Sequence, residues 1–308
     1  MSAVAEPAGK RPGAPAAKVQ TPLARFTSAF FESKVAAGAA VLLLALGGVA
    51  LIGPWLAPQD PYDLASVDVL DSRMAPGEES MEGYTFWLGS DGAGRDMLSA
   101  IVYGLRTSMG VGLFSAVIAL AIGTSLGLVS AYAGGRVDAV IMRAVDLQLS
   151  FPAILVALML VAALGKGVDK VVIALIVVQW AYYARTVRGA ALVERNKEYM
   201  EAAACLALAR WRIVFSHLLP NCLAPIIVVG TLETARAIAL EATLSFLGVG
   251  LPQTEPSLGL LIANGFEYML SGSYWISFFP GIALLLTIVS INLVGDQLRD
   301  VLNPRLER

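Results

Sequence analysis

Residues 35–56 form a run of 22 uncharged, mostly apolar positions, and this length limits what the chain can become more than any other feature. A helix rises ~1.5 Å per residue, so ~20 such residues cross the ~30 Å hydrocarbon core of a bilayer. A second uncharged run covers residues 108–135, and a third covers 147–164 in a segment that begins near Val140. The fourth run, 171–184, has only 14 uncharged residues and spans a bilayer only if Arg185 snorkels to the interface. The fifth starts near Leu218 and stays uncharged to Leu232 before meeting Glu233, Arg236 and Glu241. The last, 274–295, is clean over 22 residues. The expectation is an all-α membrane protein with six transmembrane helices. Composition agrees, since only 15 % of residues are charged and 57 % are hydrophobic, against roughly a quarter charged in soluble domains.

Ahead of the first run, the Ala-, Pro- and Lys/Arg-rich stretch shows no apolar periodicity and is expected to be a disordered tail over residues 1–34. It resembles the basic region of a signal peptide, but 22 apolar residues exceed a ~7–15 residue signal core, which favours a retained first span. The segmentation expected is a tail (1–34), a first helix (35–56), an external loop (57–105) and a membrane core (106–308) that contains a coupling segment at 194–220. Orientation follows from basic flanks. With the N-terminus inside, 16 lysines and arginines lie on inner flanks and five on outer segments, so both termini and residues 199–221 are expected in the cytoplasm.

The loop after the first span contains APQDPYD, SRMAPGEESMEGY and WLGSDGAGRDMLS. Its Pro and Gly content predicts turns and short pieces packed on the membrane face. DGAGRD lacks the Asp spacing and terminal Glu of a calcium-binding EF-hand loop, and reads as a turn. In the second span Ser108 and Gly112, and then Gly123, Gly127 and Ala131, recur at four-residue spacing along one face, a pattern that lets helix backbones approach. Such a face packs either on the chain's own helices or on a second subunit.

Between the fourth and fifth runs lies YMEAAACLALARWRIVFSHLLPN, residues 199–221, with the only histidine of the chain, His217. Glu201 and the following alanines predict a short helix with its acid near the N-terminus, where the helix dipole favours an anion. A second short helix is expected after a joint near residues 207–210, and Pro220 opens the next span, a position where proline is tolerated. An exposed Ala face on the first helix offers a flat knob to a groove. The alternative is an amphipathic helix lying in the headgroups, although its first half is poor in basic residues. The two cysteines, Cys205 and Cys222, form neither a CxxC pair nor a disulfide framework, and read as free thiols.

The chain contains no G-x-x-x-x-G-K-[ST] phosphate loop and no HExxH. One histidine, at the edge of a span, leaves an intramembrane hydrolase without a base. No catalytic residue and no metal site are expected. At this point E-A-A, a small residue six positions after the Glu, and H-L-L-P-N together resemble the coupling loop of ABC importer permeases. APQDPYD, WLGSDGAGRDMLSAIVYGLRTS, SFPAIL, ARTVRG and EATLSFLGVGLPQTEPSLG are similar to the dipeptide/oligopeptide/nickel branch, second-subunit type. The resemblance covers about residues 35–305.

That resemblance implies a type I importer fold and a place in a bacterial inner membrane. The implied partners are a second, non-identical permease subunit, two cytoplasmic ATP-binding subunits and an external solute-binding protein, with lipid around them and no nucleic acid. ATP and Mg would be bound by the partner chains, with no cofactor in this one. Carried over by position, Glu201, Ala202, Ala203 and Ala207 form the helix that docks on an ATPase, with His217 and Pro220 behind it. The family usually has Gly where Ala207 stands, so the turn is expected to form without a left-handed residue.

Charge within spans is costly, at about 2.5–3.5 kcal/mol per group on insertion scales, so such groups face protein or water. Arg143 and Asp146, and Glu233 and Arg236, are each three apart and can pair on one helix face. They are either structural ion pairs or part of a translocation wall, for which Asp146, Gln148, Ser150, Gln179 and Tyr182 are the candidates. Glu241 resembles a recurrent family feature. Peptides are the default substrate, with nickel, sugars and opines left open because specificity in such systems is largely set by the external binding protein. The competing class is an ion-coupled secondary transporter, which inverted repeats would mark; the two halves show no convincing repeat.

Overall fold

A computed structural model describes residues 22–61, 63, 67–80 and 83–302, so residues 1–21 of the expected tail lie outside it. In chain order the helices are α1 (Pro22–Glu32), α2 (Lys34–Leu56), α3 (Met97–Ala133), α4 (Gly135–Leu149), α5 (Ala153–Leu164), α6 (Val168–Arg195), α7 (Glu198–Cys205), α8 (Arg210–Arg212), α9 (Leu219–Asn221), α10 (Leu223–Phe246), α11 (Leu258–Phe266) and α12 (Trp275–Val301). Among the described residues five helices, α2, α3, α6, α10 and α12, are each long and apolar enough to cross a membrane. The pair α4–α5, bent by 88°, meets the same criterion only when taken together, as one broken span or a re-entrant loop, so the spans number five or six. The third run is therefore broken rather than straight. Pro152 lacks an amide hydrogen and pushes Phe151 out of the α region, so α4 stops at Leu149 and α5 restarts at Ala153.

The tail expectation fails over residues 22–32. Phe26 and Phe30 lie four apart on α1, with ring centroids 6.4 Å apart, and Phe30 is buried. Gln297 of α12 donates to the Ala29 carbonyl at 3.2 Å, tying α1 to the bundle. Ser33 then caps α2 by accepting from the Ala36 amide.

Helix α3 has 37 residues and is about 55 Å long, well beyond the hydrocarbon core. It begins at Met97, nine residues before the expected loop boundary, because Asp96 caps it. The Asp96 carboxylate accepts from the Ser99 amide at 2.8 Å and the Ser99 hydroxyl at 2.6 Å. Gln59 binds the same turn, accepting from the Asp96 amide at 2.7 Å. APQDPYD and WLGSDGAGRDMLS thus meet at one helix start. In DGAGRD the Asp91 carboxylate accepts from the amides of Ala93 and Arg95 and from Arg95 Nε at 2.8 Å, which makes it a turn closed on itself. Trp275 Nε1 donates to the Ser90 carbonyl at 3.2 Å and packs beside Met97, holding the loop on the bundle.

The small residues of α3 meet the chain's own helices. A methyl group at Gly123 would stand 2.5 Å from the Trp180 carbonyl oxygen, and one at Gly127 would stand 2.7 Å from that of Ala184. Gly112 approaches Ile238 of α10 in the same way. Burying α3 against α6 at this range needs hydrogen-sized side chains on the stripe. The 14-residue fourth run is only the middle of α6, which is continuous over 28 residues. Gly134 and Gly135, at φ 63° and 52°, reverse the chain from α3 into α4.

Candidate functional site

The far end of α3 from the loop carries the segment 194–220. Glu194 accepts from Lys197 Nζ at 2.7 Å and from the Tyr199 hydroxyl at 2.9 Å, and Arg195 donates to the Ala131 carbonyl at 2.7 Å. Burial and then the Glu194 carboxylate push the Tyr199 phenol up to about 12, so it stays a donor. From this base α7 projects with two unlike sides. Met200 and Ala203, three apart, are buried against Leu128 and Ala131 of α3 and Val187 and Ala191 of α6. Glu201, Ala202, Cys205 and Leu206 are exposed, Leu206 at 74 %.

Two expectations change here. Ala203 anchors α7 to the bundle and does not belong to an exposed face, because the i,i+3 stripe that it shares with Met200 points at α3 and α6. Ala207 does adopt a left-handed conformation, at φ 53°. It closes α7 with the Leu206 amide donating to the Ala202 carbonyl at 3.0 Å and that of Leu208 to Ala203 at 3.4 Å. The joint runs from Leu206 to Ala209, and α8 follows. The chain then winds through a wider turn, Ile213–Leu218, in which His217 Nδ1 lies 3.3 Å from the Arg212 carbonyl. Pro220 sits exposed in α9, and the next long helix starts at Leu223. A cleft of about 680 Å³ lies between this segment and the end of α3, bordered by Tyr132, Arg195, Glu201, Arg210 and Trp211.

A second polar region lies on the flank of α4, α6 and α10. Asp146 pairs with Arg185 of α6, both side chains being at least half exposed, and does not pair with Arg143. The cross-helix partner lies 39 residues away in sequence, and α6 brings it to the end of α4, where Ser150 donates its hydroxyl to the Asp146 carbonyl. Glu233 and Arg236 do pair, at 2.8 Å, with Glu233 6 % and Arg236 60 % exposed. The Arg236 guanidinium lies 5.2 Å from the centre of the Tyr182 ring. Gln148 and Tyr182 are half-buried. Gln179 is buried, its amide donating to the Glu233 carbonyl at 3.0 Å, so it braces α6 on α10 and lines no surface. Glu241 is also buried, accepting from Ser245 at 2.8 Å.

One network was not anticipated. Arg188 of α6 holds Asp138 of α4 through two bonds, Nε at 2.5 Å and Nη2 at 2.6 Å, and Ser130 of α3 donates to the same carboxylate. Its members are 50 residues apart, so no local spacing announces it.

This bundle, with its projecting α7 knob, has known relatives. Residues 123–308 match the family described as binding-protein-dependent transport system inner membrane component, and the chain belongs to that family. It is a membrane permease subunit of an ABC importer. Residues 21–76 match the N-terminal transmembrane domain of oligopeptide transport permease C. The chain is 38 % identical over 288 residues to the di/tripeptide transport system permease protein DppC of Pseudomonas aeruginosa, covering 93 % of each. It is 38 % identical over 266 residues to the probable D,D-dipeptide transport system permease protein DdpC of Escherichia coli, covering 86 % of each. The glutathione transport system permease protein GsiD of Pectobacterium atrosepticum is 35 % identical over 94 % of this chain and 93 % of its own. Among solved structures, a chain of the MetNI methionine ABC transporter in an inward-facing conformation shares the fold. It gives a TM-score of 0.57 at 19 % identity, covering 67 % of this chain and 98 % of that one.

Proposed function

We propose that this chain is half of the translocation pathway of an ATP-driven peptide importer and that α7 transmits the ATPase stroke to it. The observation that carries the peptide reading is the 38 % identity with a di/tripeptide permease along 93 % of both chains. Relatives bearing peptide and glutathione names point to short peptides as the substrate class. The partners proposed are a second, non-identical permease, two cytoplasmic ATP-binding subunits that hold ATP and Mg, and an external solute-binding protein. The chain itself hydrolyses nothing. It sits in the bacterial inner membrane with both termini and α7 in the cytoplasm, as the 16-to-five distribution of basic residues favours.

The docking surface proposed is the exposed side of α7, with Glu201, Ala202, Cys205 and Leu206 outward and Ala203 holding the helix down. Ala207 shapes the turn that presents Leu206. His217 and Pro220 belong to the stalk that leads back into α10. On the flank, Arg185 and Arg236 expose charge on the spanning helices α6 and α10, and Asp146 exposes it on α4 beside them. Hydrocarbon would penalise each by about 2.5–3.5 kcal/mol, so this side faces the pathway between the two permeases.

The experiment is reconstitution of the complete system in proteoliposomes. Dipeptide uptake that requires both internal ATP and the binding protein supports the reading. Uptake by the lone chain under a proton or sodium gradient contradicts it and restores the ion-coupled alternative.

A further inference from the structure

We propose that the Arg236 guanidinium holds the C-terminal carboxylate of a peptide during passage, with Glu233 and Tyr182 aiming it. This deepens the peptide reading above and rests on it. Tyr182 is the fifteenth of 28 residues in α6 and Arg236 the fourteenth of 24 in α10. The pair therefore sits at the middle of two spans, away from any interface to which an arginine would snorkel.

The ion pair is asymmetric. The Glu233 carboxylate is buried at 6 % exposure, whereas the Arg236 side chain is 60 % exposed. Glu233 Oε1 occupies Nη1, and the Tyr182 ring lies against the guanidinium at 5.2 Å. Of the five N–H donors, the remainder are left for a planar acceptor, and the fork matches a carboxylate in two-point contact. Among the other charged groups on this side, Asp146 and Arg185 pair with each other, and Arg143 lies exposed one turn before Asp146, on α4 and away from the Tyr182 ring. Every short peptide with a free C-terminus carries the required carboxylate whatever its side chains. With Glu233 beneath it the pair is neutral in sum, so the hold is weak, as passage requires entry and release.

The test uses the permease–ATPase complex in nanodiscs without its binding protein, probed by ligand-detected NMR with alanyl-alanine and with alanyl-alanine amide. The expected result is about tenfold tighter binding of the free dipeptide, corresponding to one charge-assisted contact. Arg236→Gln should abolish that preference, and Arg236→Lys should keep part of it. Equal binding of the two probes by the native complex, or no binding of either, overturns the proposal. So does a preference that survives in Arg236→Gln. Loss of the second permease from the Arg236→Gln complex would make Arg236 an assembly contact and also overturn it. A native system that fails to import alanyl-alanine with its binding protein present contradicts the peptide reading itself. Import with no carboxylate preference contradicts only the role of Arg236.

Discussion

The Leu208 amide donates to the Ala203 carbonyl at 3.4 Å across Ala207, which is held at φ 53°. This is the closing bond of a helix whose penultimate turn residue is normally glycine, because a Cβ in the left-handed region costs about 1–2 kcal/mol. Ala207→Gly should relieve that strain and stabilise the end of α7 by about 1 kcal/mol, with Ala207→Val doing the reverse. Hydrogen exchange is the measurement: the Leu206 and Leu208 amides should exchange about fivefold more slowly in Ala207→Gly. Unchanged exchange would mean that the turn is not under strain.

Ala203 and Cys222 share one buried cluster, so each reports on the other. Ala203→Asp places a carboxylate among Leu128, Val187 and Leu218, at a cost of several kcal/mol, and should lift α7 off the bundle. Burial, with Glu194 adding, pushes the native Cys222 thiol up to about 11, so at neutral pH it is protonated as well as hidden. In a Cys205→Ser background, Cys222 should resist maleimide in the native chain and label in Ala203→Asp. Equal labelling of the two would place Ala203 outside the fold of the segment.

What the sequence discloses depends on the range of the interaction. Run lengths disclose the spans at residues 35–56 and 274–295, because crossing a bilayer is a local requirement. The break at Phe151–Pro152 is also local and legible from proline alone. The Phe26–Phe30 spacing marks α1, but a Pro- and Ala-rich neighbourhood hides it. Asp146 has a basic residue three positions away and a better one on α6, and only packing chooses Arg185. In α7 a stripe of alanines looks the same from both sides, so sequence could not tell that Ala203 faces inward and Ala202 outward.

The Asp138–Arg188 contact joins α4 to α6 near the end that carries α7, with Ser130 of α3 on the same carboxylate. Both side chains are partly exposed, which places the effect below that of a fully buried pair. Arg188→Gln should lower stability by about 1–3 kcal/mol, read as a reduced thermal midpoint of the purified complex. Lys170→Gln, which loses only the exposed contact to Asp169, should leave the thermal midpoint unchanged. Equal midpoints for the two variants would remove the clamp.

The loop and α7 lie at opposite ends of α3, so they should be reached from opposite sides of the membrane. In a Cys205→Ser chain, Glu79→Cys should react with an impermeant thiol reagent added to intact spheroplasts. Native Cys205 should react only after lysis. Labelling of Cys205 from outside, with position 79 silent, would invert the topology.

The exposed side of α7 is assigned to the ATPase, and co-purification of the ATP-binding subunits with Ala202→Asp tests this most directly. Ala202 is exposed, so the substitution leaves the buried cluster around Ala203 intact and Cys222 protected. In a closed interface the new carboxylate would be buried without a partner, costing several kcal/mol, and each ~1.4 kcal/mol is tenfold in affinity. Glu79→Lys, at the opposite end, serves as the control. The expected result is a membrane-inserted chain that keeps the second permease, loses the ATP-binding subunits and no longer imports dipeptide. Ala202→Asp that co-purifies with a full complement of ATPase and transports normally would contradict the assignment and leave α7 as a helix lying in the headgroups.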